Sequence, residues 1–263
     1  MSSRIFFKDR TVVITGASGG IGKAIALQLA SYGARTFLLS RNVTVLQQIK
    51  EEIESLNGIS EIIQCDVSNI DEVRRAGEKI REISGGADIL ITCAGKYVQD
   101  NSSLLDMEAF HDSISVNFFG TLNIIHSLLP QMKERRKGHI TIINSLDSGK
   151  GIVGDGPYVA AKSALDGFGD VLRQEMKQFG IRVTSVYPGR VDTPMIESIK
   201  VPSISAKIKP DKVAKAVLKG IRKNRALVIV PATLSFIPVL NKIAPVMMDK
   251  LYRLFRLEGE VIK

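Results

Sequence analysis

A chain of 263 residues, 44% hydrophobic and 24% charged, with 22 Gly against 9 Pro, is long enough for one large α/β core and excludes a disordered, fibrous or low-complexity protein. Its net charge of +9 is unevenly placed: residues 1–199 carry 22 Lys and Arg against 23 Asp and Glu, whereas residues 200–263 carry 14 against 4. The excess lies beside apolar residues, without base-stacking or groove-reading motifs, so nucleic acid is not the expected partner and an anionic lipid surface is the better candidate.

The start, Met1–Arg10, has no apolar signal core and runs straight into a strand pattern, so no secretory leader and a cytoplasmic location are expected. Apolar runs of strand length then follow at 11–15, 36–40, 62–66, 89–93, 140–144, 183–187 and 227–230. Between them Ile21–Tyr32, Val43–Leu56, Ile70–Ile83, Met107–Arg136 and Pro157–Phe179 read as helices, with stops at Gly33, Gly58, Gly85, Gly138 and Gly180. After Val201 a surface loop leads into one more helix, Asp211–Lys223. Continuous rather than alternating apolar strands require both sheet faces to be covered. The pattern therefore predicts an α/β fold: a single doubly wound domain with a parallel sheet of about seven strands and helices on both faces. Cys65 and Cys93 fall in strand-like stretches and read as free buried thiols of a reducing compartment. His111, His126 and His139 form no HExxH and have no carboxylate at ligand spacing, so no metal site is expected. The longest uncharged run, Ala226–Asn241, is broken by Pro231 and Pro238 and is too short to span a membrane.

The chemistry is carried by three places. The first strand runs into ThrGlyAlaSerGlyGlyIleGly at 15–22, which sets Gly16, Gly20 and Gly22 at a turn and at the start of a helix. Glycine suits the positive φ of such a turn and lets backbone N–H groups approach a pyrophosphate that the helix dipole favours. The second strand ends Leu39, Ser40, Arg41. A hydroxyl and a guanidinium there, with no carboxylate, suit a 2′-phosphate and so predict NADP(H) over NAD. Asp66 and Val67, closing the third strand, are placed to meet the adenine. Tyr158 and Lys162, at i and i+4, share one helix face, and a fixed ammonium is expected to lower the phenol from its usual ~10 toward working pH, making a general acid and base. Ser145 ends the fifth strand at the carboxyl edge, where its hydroxyl can hold a carbonyl oxygen.

Together these residues resemble the short-chain dehydrogenase/reductase family over about residues 8–230. The turn at 15–22 matches its TGxxxGxG, Asp66 its adenine contact, Asn117 its helix asparagine, Ser145 with Tyr158 and Lys162 its Ser and YxxxK, and Pro188 and Gly189 its nicotinamide-side turn. The resemblance implies a Rossmann domain over 1–230 with a substrate loop at about 190–210, and a small-molecule carbonyl or alcohol as substrate. In it Tyr158 passes a proton to the substrate oxygen and Ser145 orients that oxygen. Lys162 holds the ribose and tunes Tyr158, Asn117 anchors a relay water, and Thr193 meets the carboxamide. Ser18, Ile21, Ala94, Gly95 and Val191 complete the implied cofactor-binding set, and a homo-oligomer, dimer or tetramer, is implied as well. One departure stands out: the family's AsnAsnAlaGly is Thr92, Cys93, Ala94, Gly95 here, so the strand-tying asparagine contact needs a replacement, for which the Thr92 hydroxyl is the candidate. Asp147 and Asp155 fall near the expected pocket, as solvated loop carboxylates or as substrate contacts.

The extension 231–263 differs from the family's commonest ending. Lys250, Arg253 and Arg256 at helical spacing, beside Leu251, Leu254, Phe255 and Leu257, resemble members with lipid-like substrates that dock on membranes, such as ketosphinganine and hydroxysteroid reductases. An oligomer contact or a cover over the pocket is the alternative. The expected activity is NADPH-dependent reduction of a carbonyl to an alcohol, reversible, on an apolar substrate. An idle NADP-sensing module is the competing reading, and the intact set Asn117, Ser145, Tyr158 and Lys162 argues against it.

Overall fold

The computed structural model describes residues 2–99, 105–197, 199–200, 207–255, 257 and 260–261. Seven strands form one sheet: β1 (Thr11–Thr15), β2 (Arg35–Ser40), β3 (Ile59–Gln64), β4 (Ile89–Thr92), β5 (Gly138–Ile143), β6 (Ile181–Pro188) and β8 (Leu227–Val230). Their order is β3-β2-β1-β4-β5-β6-β8, and every pairing is parallel. Strand order reverses between β1 and β4, which opens a crevice at the carboxyl edge of both.

Both faces of the sheet are covered, as the continuous apolar strands require. On β1, Val12 and Ile14 enter one core and Val13 the other; on β4, Ile89 and Ile91 divide from Leu90 in the same way. The first core packs α2 (Gly20–Ser31), α3 (Val43–Ser55) and α8 (Pro210–Arg222) through Ile25, Leu29, Leu46, Val213 and Val217. The second packs α4 (Ile70–Ser84), α6 (Gly120–Glu134) and α7 (Gly156–Met176) through Val73, Ile80, Ile124, Leu128 and Leu165. Each such side chain contributes about 1.5–3 kcal/mol on burial. Between the strands, His139 of β5 joins its Nε2 to Thr184 Oγ1 of β6 at 2.8 Å, while that hydroxyl donates to Arg225 O at 2.7 Å. Thr184 spends its proton on the carbonyl, so His139 is the donor and carries its hydrogen on Nε2. Burial and the nearby charges of Arg182 and Arg10 lower the His139 pKa to about 4.

Several boundaries differ from the sequence pattern for local reasons. β3 begins and ends earlier than 62–66, because past Gln64 the backbone turns: Asp66 N–H donates to Glu72 Oε2 at 2.8 Å and Asp66 Oδ1 accepts from Ser68. Gly33, Gly85 and Gly180 take the left-handed conformation that a helix stop needs, but at the other two stops Asn57 and Arg136 take it instead of Gly58 and Gly138. A Cβ on Gly58 would stand 2.9 Å from the Ala30 side chain, so that glycine serves close packing. The predicted helix 107–136 is α5 (Met107–Ile114), a π-turn over Ser115–Phe119, and α6. A short α1 (Ser3–Phe7), without a counterpart in the pattern, stacks Phe7 on Tyr32 with ring centroids 6.0 Å apart.

The C-terminal extension folds as α9 (Ile237–Ile243) and α10 (Pro245–Leu254), and a two-residue β9 (Glu260–Val261) pairs antiparallel with β7 (Ile199–Lys200) of the substrate loop. Of the expected loop at 190–210, residues 198 and 201–206 lie outside the described residues, as does Arg256 of the basic face. Among the described residues no helix is long and apolar enough to cross a membrane.

Candidate active site

At the crevice the glycine turn leaves β1 and enters α2. Gly16 alone of the three has positive φ, 64°; the expectation that the turn as a whole demands it is corrected for Gly20 and Gly22. These two are needed for closeness: a Cβ on Gly22 would stand 2.4 Å from Gly16 O, and one on Gly20 2.6 Å from Thr193 Cγ2. Thr193, in the loop after β6, is thereby pressed against the start of α2. Gly22 is internal to the turn, while Gly16, Ser18, Ser40, Arg41, Asp66, Val67, Ala94 and Gly95 line a groove of about 150 Å³. Ser18 and Ser40 share a hydrogen bond of 2.6 Å, and the exposed Arg41 guanidinium stands 3.7 Å from Asp66. The groove fits a dinucleotide: glycines admit the backbone, the α2 N-terminus faces it, and a hydroxyl pair and a guanidinium close its far end.

The departure at 92–95 is resolved by two hydroxyls. Thr92 Oγ1 donates to Thr141 O at 3.4 Å, tying β4 to β5 as expected. Thr15 Oγ1 accepts from the N–H groups of Cys93 and Ala94, each at 3.1 Å, tying β1 to β4. Cys65 is buried; Cys93 is half-buried and lines both the groove and the pocket next to it, its thiol pushed up to about 12 by desolvation.

Ser145, Tyr158 and Lys162 converge on a pocket of about 110 Å³, with Ile21, Gly95, Asn117, Pro188, Gly189, Val191 and Thr193 around it. Lys162 Nζ donates to Ile143 O at 3.0 Å and sits 5.7 Å from the centre of the Tyr158 ring; burial lowers its pKa to about 8. The expected lowering of the Tyr158 phenol is not found. Burial, with Asp147 adding to it, pushes that phenol above its ordinary value, and the Ser145 hydroxyl opposes the shift. Sequence spacing places the ammonium but not the desolvation. Asn117, in the π-turn, has its side chain fully engaged: Oδ1 accepts from Lys96 N–H at 3.1 Å, and Nδ2 donates to Lys96 O at 2.8 Å and to Ser113 O at 3.0 Å. It clamps the segment after β4. A Cβ on Gly95 would stand 2.8 Å from Asn117 Oδ1, so glycine is required between the two.

Sequence reasoning missed three residues here. Tyr97 packs edge-on against Tyr158, centroids 5.2 Å apart, and its hydroxyl donates to Asp155. Gln99 donates to that hydroxyl at 2.9 Å and to Asp155 Oδ1 at 3.1 Å. Arg190 donates to Leu257 O. Tyr97 and Gln99 lie just past the carboxyl end of β4, which was the available signal. Asp155 is buried, not a solvated loop carboxylate, and burial raises its pKa against those two donors. Asp147, half-buried, accepts from Ser145 Oγ at 3.1 Å, and burial, then Asp155, raises it to about 6.

Beyond Asp147 the pocket continues into a largely apolar cavity of about 420 Å³, walled by Leu234, Leu240, Met248, Leu251 and Tyr252 of the extension. Lys150 pairs with Asp249 at 2.8 Å and Asn241 Nδ2 donates to Gly149 O at 3.0 Å, holding α9 and α10 over it. Leu251, Phe255 and Leu257 therefore line the cavity, Phe255 keeping part of its ring exposed, and of the expected lipid face Leu254 alone is exposed without lining it.

The pattern of the short chain dehydrogenase family matches residues 10–202. A fatty acyl-CoA reductase of Acinetobacter baylyi is 31% identical over 220 residues, 82% of this chain and 74% of that one. A mouse 3-ketodihydrosphingosine reductase is 32% identical over 223 residues, covering 79% and 67%. Among solved structures, an actinorhodin polyketide ketoreductase variant with NADPH superposes with a TM-score of 0.78 at 26% identity, over 88% of this chain and 97% of that one.

Proposed function

The chain belongs to the short chain dehydrogenase family, whose cofactor is a nicotinamide dinucleotide, and from that premise we propose that it uses NADPH to reduce a ketone on a long apolar substrate, reversibly. The observation that carries this is the continuity of three spaces at one sheet edge: the dinucleotide groove, the pocket of Ser145, Tyr158 and Lys162, and the apolar cavity under α9 and α10. When bound, the nicotinamide would supply the hydride. Tyr158, protonated in this buried site, gives its proton to the developing alkoxide, and Ser145 orients the carbonyl oxygen. Lys162 would hold the ribose and keeps positive charge beside the phenol after the proton leaves. Tyr97 positions Tyr158 through its ring edge, and Asn117 fixes the Lys96 backbone beside the pocket.

NADP over NAD rests on Ser18, Ser40 and Arg41, a hydroxyl pair and a guanidinium where a 2′-phosphate would lie. Residues 1–230 form the catalytic domain on this reading, and 231–263 a cover that shapes the substrate end. The test is NADPH oxidation across a carbonyl panel that includes long-chain ketones, with Tyr158→Phe beside the wild type. The variant is expected to lose turnover by far more than tenfold, over about 1.4 kcal/mol of barrier, while NADPH binding persists. A variant that keeps a tenth of the rate assigns the acid to another group. Binding of NADPH without oxidation by any carbonyl favours the sensing module.

A second role for the extension, weak docking on an anionic bilayer, is supported by exposed Ile243, Val246 and Leu254 beside Lys242, Lys250 and Arg253.

A further inference from the structure

This inference rests on the ketone-reductase reading and concerns when Ser145 can serve the carbonyl oxygen. The Ser145 hydroxyl carries one proton, and that proton is committed elsewhere: Oγ donates to Asp147 Oδ2 at 3.1 Å and accepts from the Asp147 N–H at 3.2 Å. The Tyr158 phenol is within reach of the same hydroxyl, and all three groups line one pocket. An ionised carboxylate is a stronger acceptor than a ketone oxygen, so while Asp147 is charged Ser145 faces away from the substrate. The same charge opposes the tyrosinate that Tyr158 becomes on giving up its proton.

The surroundings set Asp147 apart from an ordinary carboxylate. It is half-buried, and among the described residues its carboxylate accepts from Ser145 alone. Asp155, just before α7, adds a like charge and is itself held by Tyr97 and Gln99. Burial and that neighbour raise Asp147 to about 6, while the Arg190 guanidinium, after β6, favours the ionised form of both carboxylates. Tyr97, Tyr158 and Tyr252 of α10 also face it, and all three phenols are raised, so they keep their protons where Asp147 titrates.

We propose that Asp147 is an acid-operated positioning residue for Ser145. Ionised, it holds the Ser145 proton off the substrate; protonated, its own O–H donates to Ser145 Oγ and the Ser145 proton turns to the carbonyl oxygen. No bond to hydrogen is made or broken at Ser145 in that turn, because its oxygen has a second lone pair to accept with. Hydride and proton transfer remain with the nicotinamide and Tyr158. As pH falls, reduction gains a donor to the developing alkoxide and loses a charge that opposes the tyrosinate, so both effects raise kcat.

The experiment measures kcat for reduction of methyl octyl ketone with saturating NADPH between about pH 5 and 8, in wild type, Asp147→Asn and Asp155→Asn. Should that ketone not be turned over, the carbonyl of the panel reduced fastest takes its place. Wild-type kcat is expected to rise about tenfold or more as pH falls through about 6, the worth of a hydrogen bond to a developing charge. In Asp147→Asn the neutral amide donates to Ser145 Oγ at every pH, so the acid rise disappears and kcat at pH 7.5 exceeds that of wild type by about the same factor. In Asp155→Asn the rise is kept but moves to lower pH, because a neighbouring like charge is gone. A wild-type kcat that is flat or falls with acid overturns the proposal, as does an acid rise that persists unmoved in Asp147→Asn. A merely structural Asp147 would lower kcat at every pH in that variant and leave the profile in place, which overturns it too. Should Asp147→Asn not fold, Asp155→Asn decides: an inflection that stays where it is in wild type rejects Asp147 as the titrating group. Carbonyl reduction with any of these overturning profiles sinks this inference alone. If wild type reduces no carbonyl at all, the ketone-reductase reading falls and takes the inference with it.

Discussion

Acidification should expose His139 as a stability switch within the sheet. Its imidazole is almost fully buried between β5 and β6, donates to Thr184, and has a pKa lowered to about 4 by burial and by Arg182 and Arg10. In the unfolded chain the same ring titrates near ~6.5. Because the folded value is the lower one, the unfolded state takes up a proton first: the stability this residue permits is complete above the unfolded value, falls as pH drops below it, and is fully lost below about 4. Linkage between these two values amounts to about 2 kcal/mol at pH 5 relative to neutrality, which for a domain of this size corresponds to about 4–8 °C in Tm. Asp147 and Asp155, with raised values, pull in the opposite direction, gaining stability as they protonate; they are common to wild type and to a His139→Gln variant and cancel in the comparison. Thermal unfolding followed by circular dichroism at pH 7.5 and pH 5 measures the effect. The glutamine keeps a donor for Thr184 and does not titrate, so its Tm should fall less between the two pH values by about that 4–8 °C. Equal falls in both proteins would refute the argument.

Arg41→Ala should reduce the preference for NADPH over NADH by about tenfold to a hundredfold, the worth of one or two charge-assisted hydrogen bonds, as read by titrating both reduced cofactors; an unchanged ratio removes Arg41 from the assignment. Gly22→Ala should weaken dinucleotide binding strongly and lower Tm, because its Cβ would meet the Gly16 carbonyl at 2.4 Å and backbone must shift to relieve it; NADPH fluorescence titration reads the first and calorimetry the second. Deleting residues 241–263 should open the apolar cavity and raise KM for long-chain ketones while NADPH binding persists. The same deletion tests the membrane role, for which the full chain should sediment with anionic liposomes, less so in high salt, and the shortened chain should not.

The sheet was legible because each strand is a short apolar run whose two faces must both be covered, and alternation of Val12, Val13 and Ile14 between two cores is the direct outcome. Helix stops were less legible. Glycine after a helix signals either a left-handed residue or a tight approach, and Gly58 and Gly138 belong to the second kind while Asn57 and Arg136 perform the turn. In the site, residues spaced along one element were readable: Tyr158 and Lys162 on α7, the glycines at the head of α2, Ser40 and Arg41 at the end of β2. What escaped depends on distant segments meeting, as with Tyr97 and Asp155 or Arg190 and Leu257. The phenol of Tyr158 shows the same limit in energetic form, since its shift follows from burial by residues far apart in the chain.

The extension also bears on how such a chain can change its substrate. Of α9 and α10, only Met248 is buried, and the extension is held to the rest by the Lys150–Asp249 ion pair, the Asn241 bond to Gly149 and, past α10, the Arg190 bond to Leu257. Neither hydrophobic core contains any residue of these two helices. Replacing the segment after β8 therefore leaves the sheet, its helical layers and the nucleotide groove intact while giving the cavity a new wall. On the proposed reading, a different segment grafted at Pro231 would reshape the substrate end in a single exchange, provided it offered new partners to Lys150, Gly149 and Arg190.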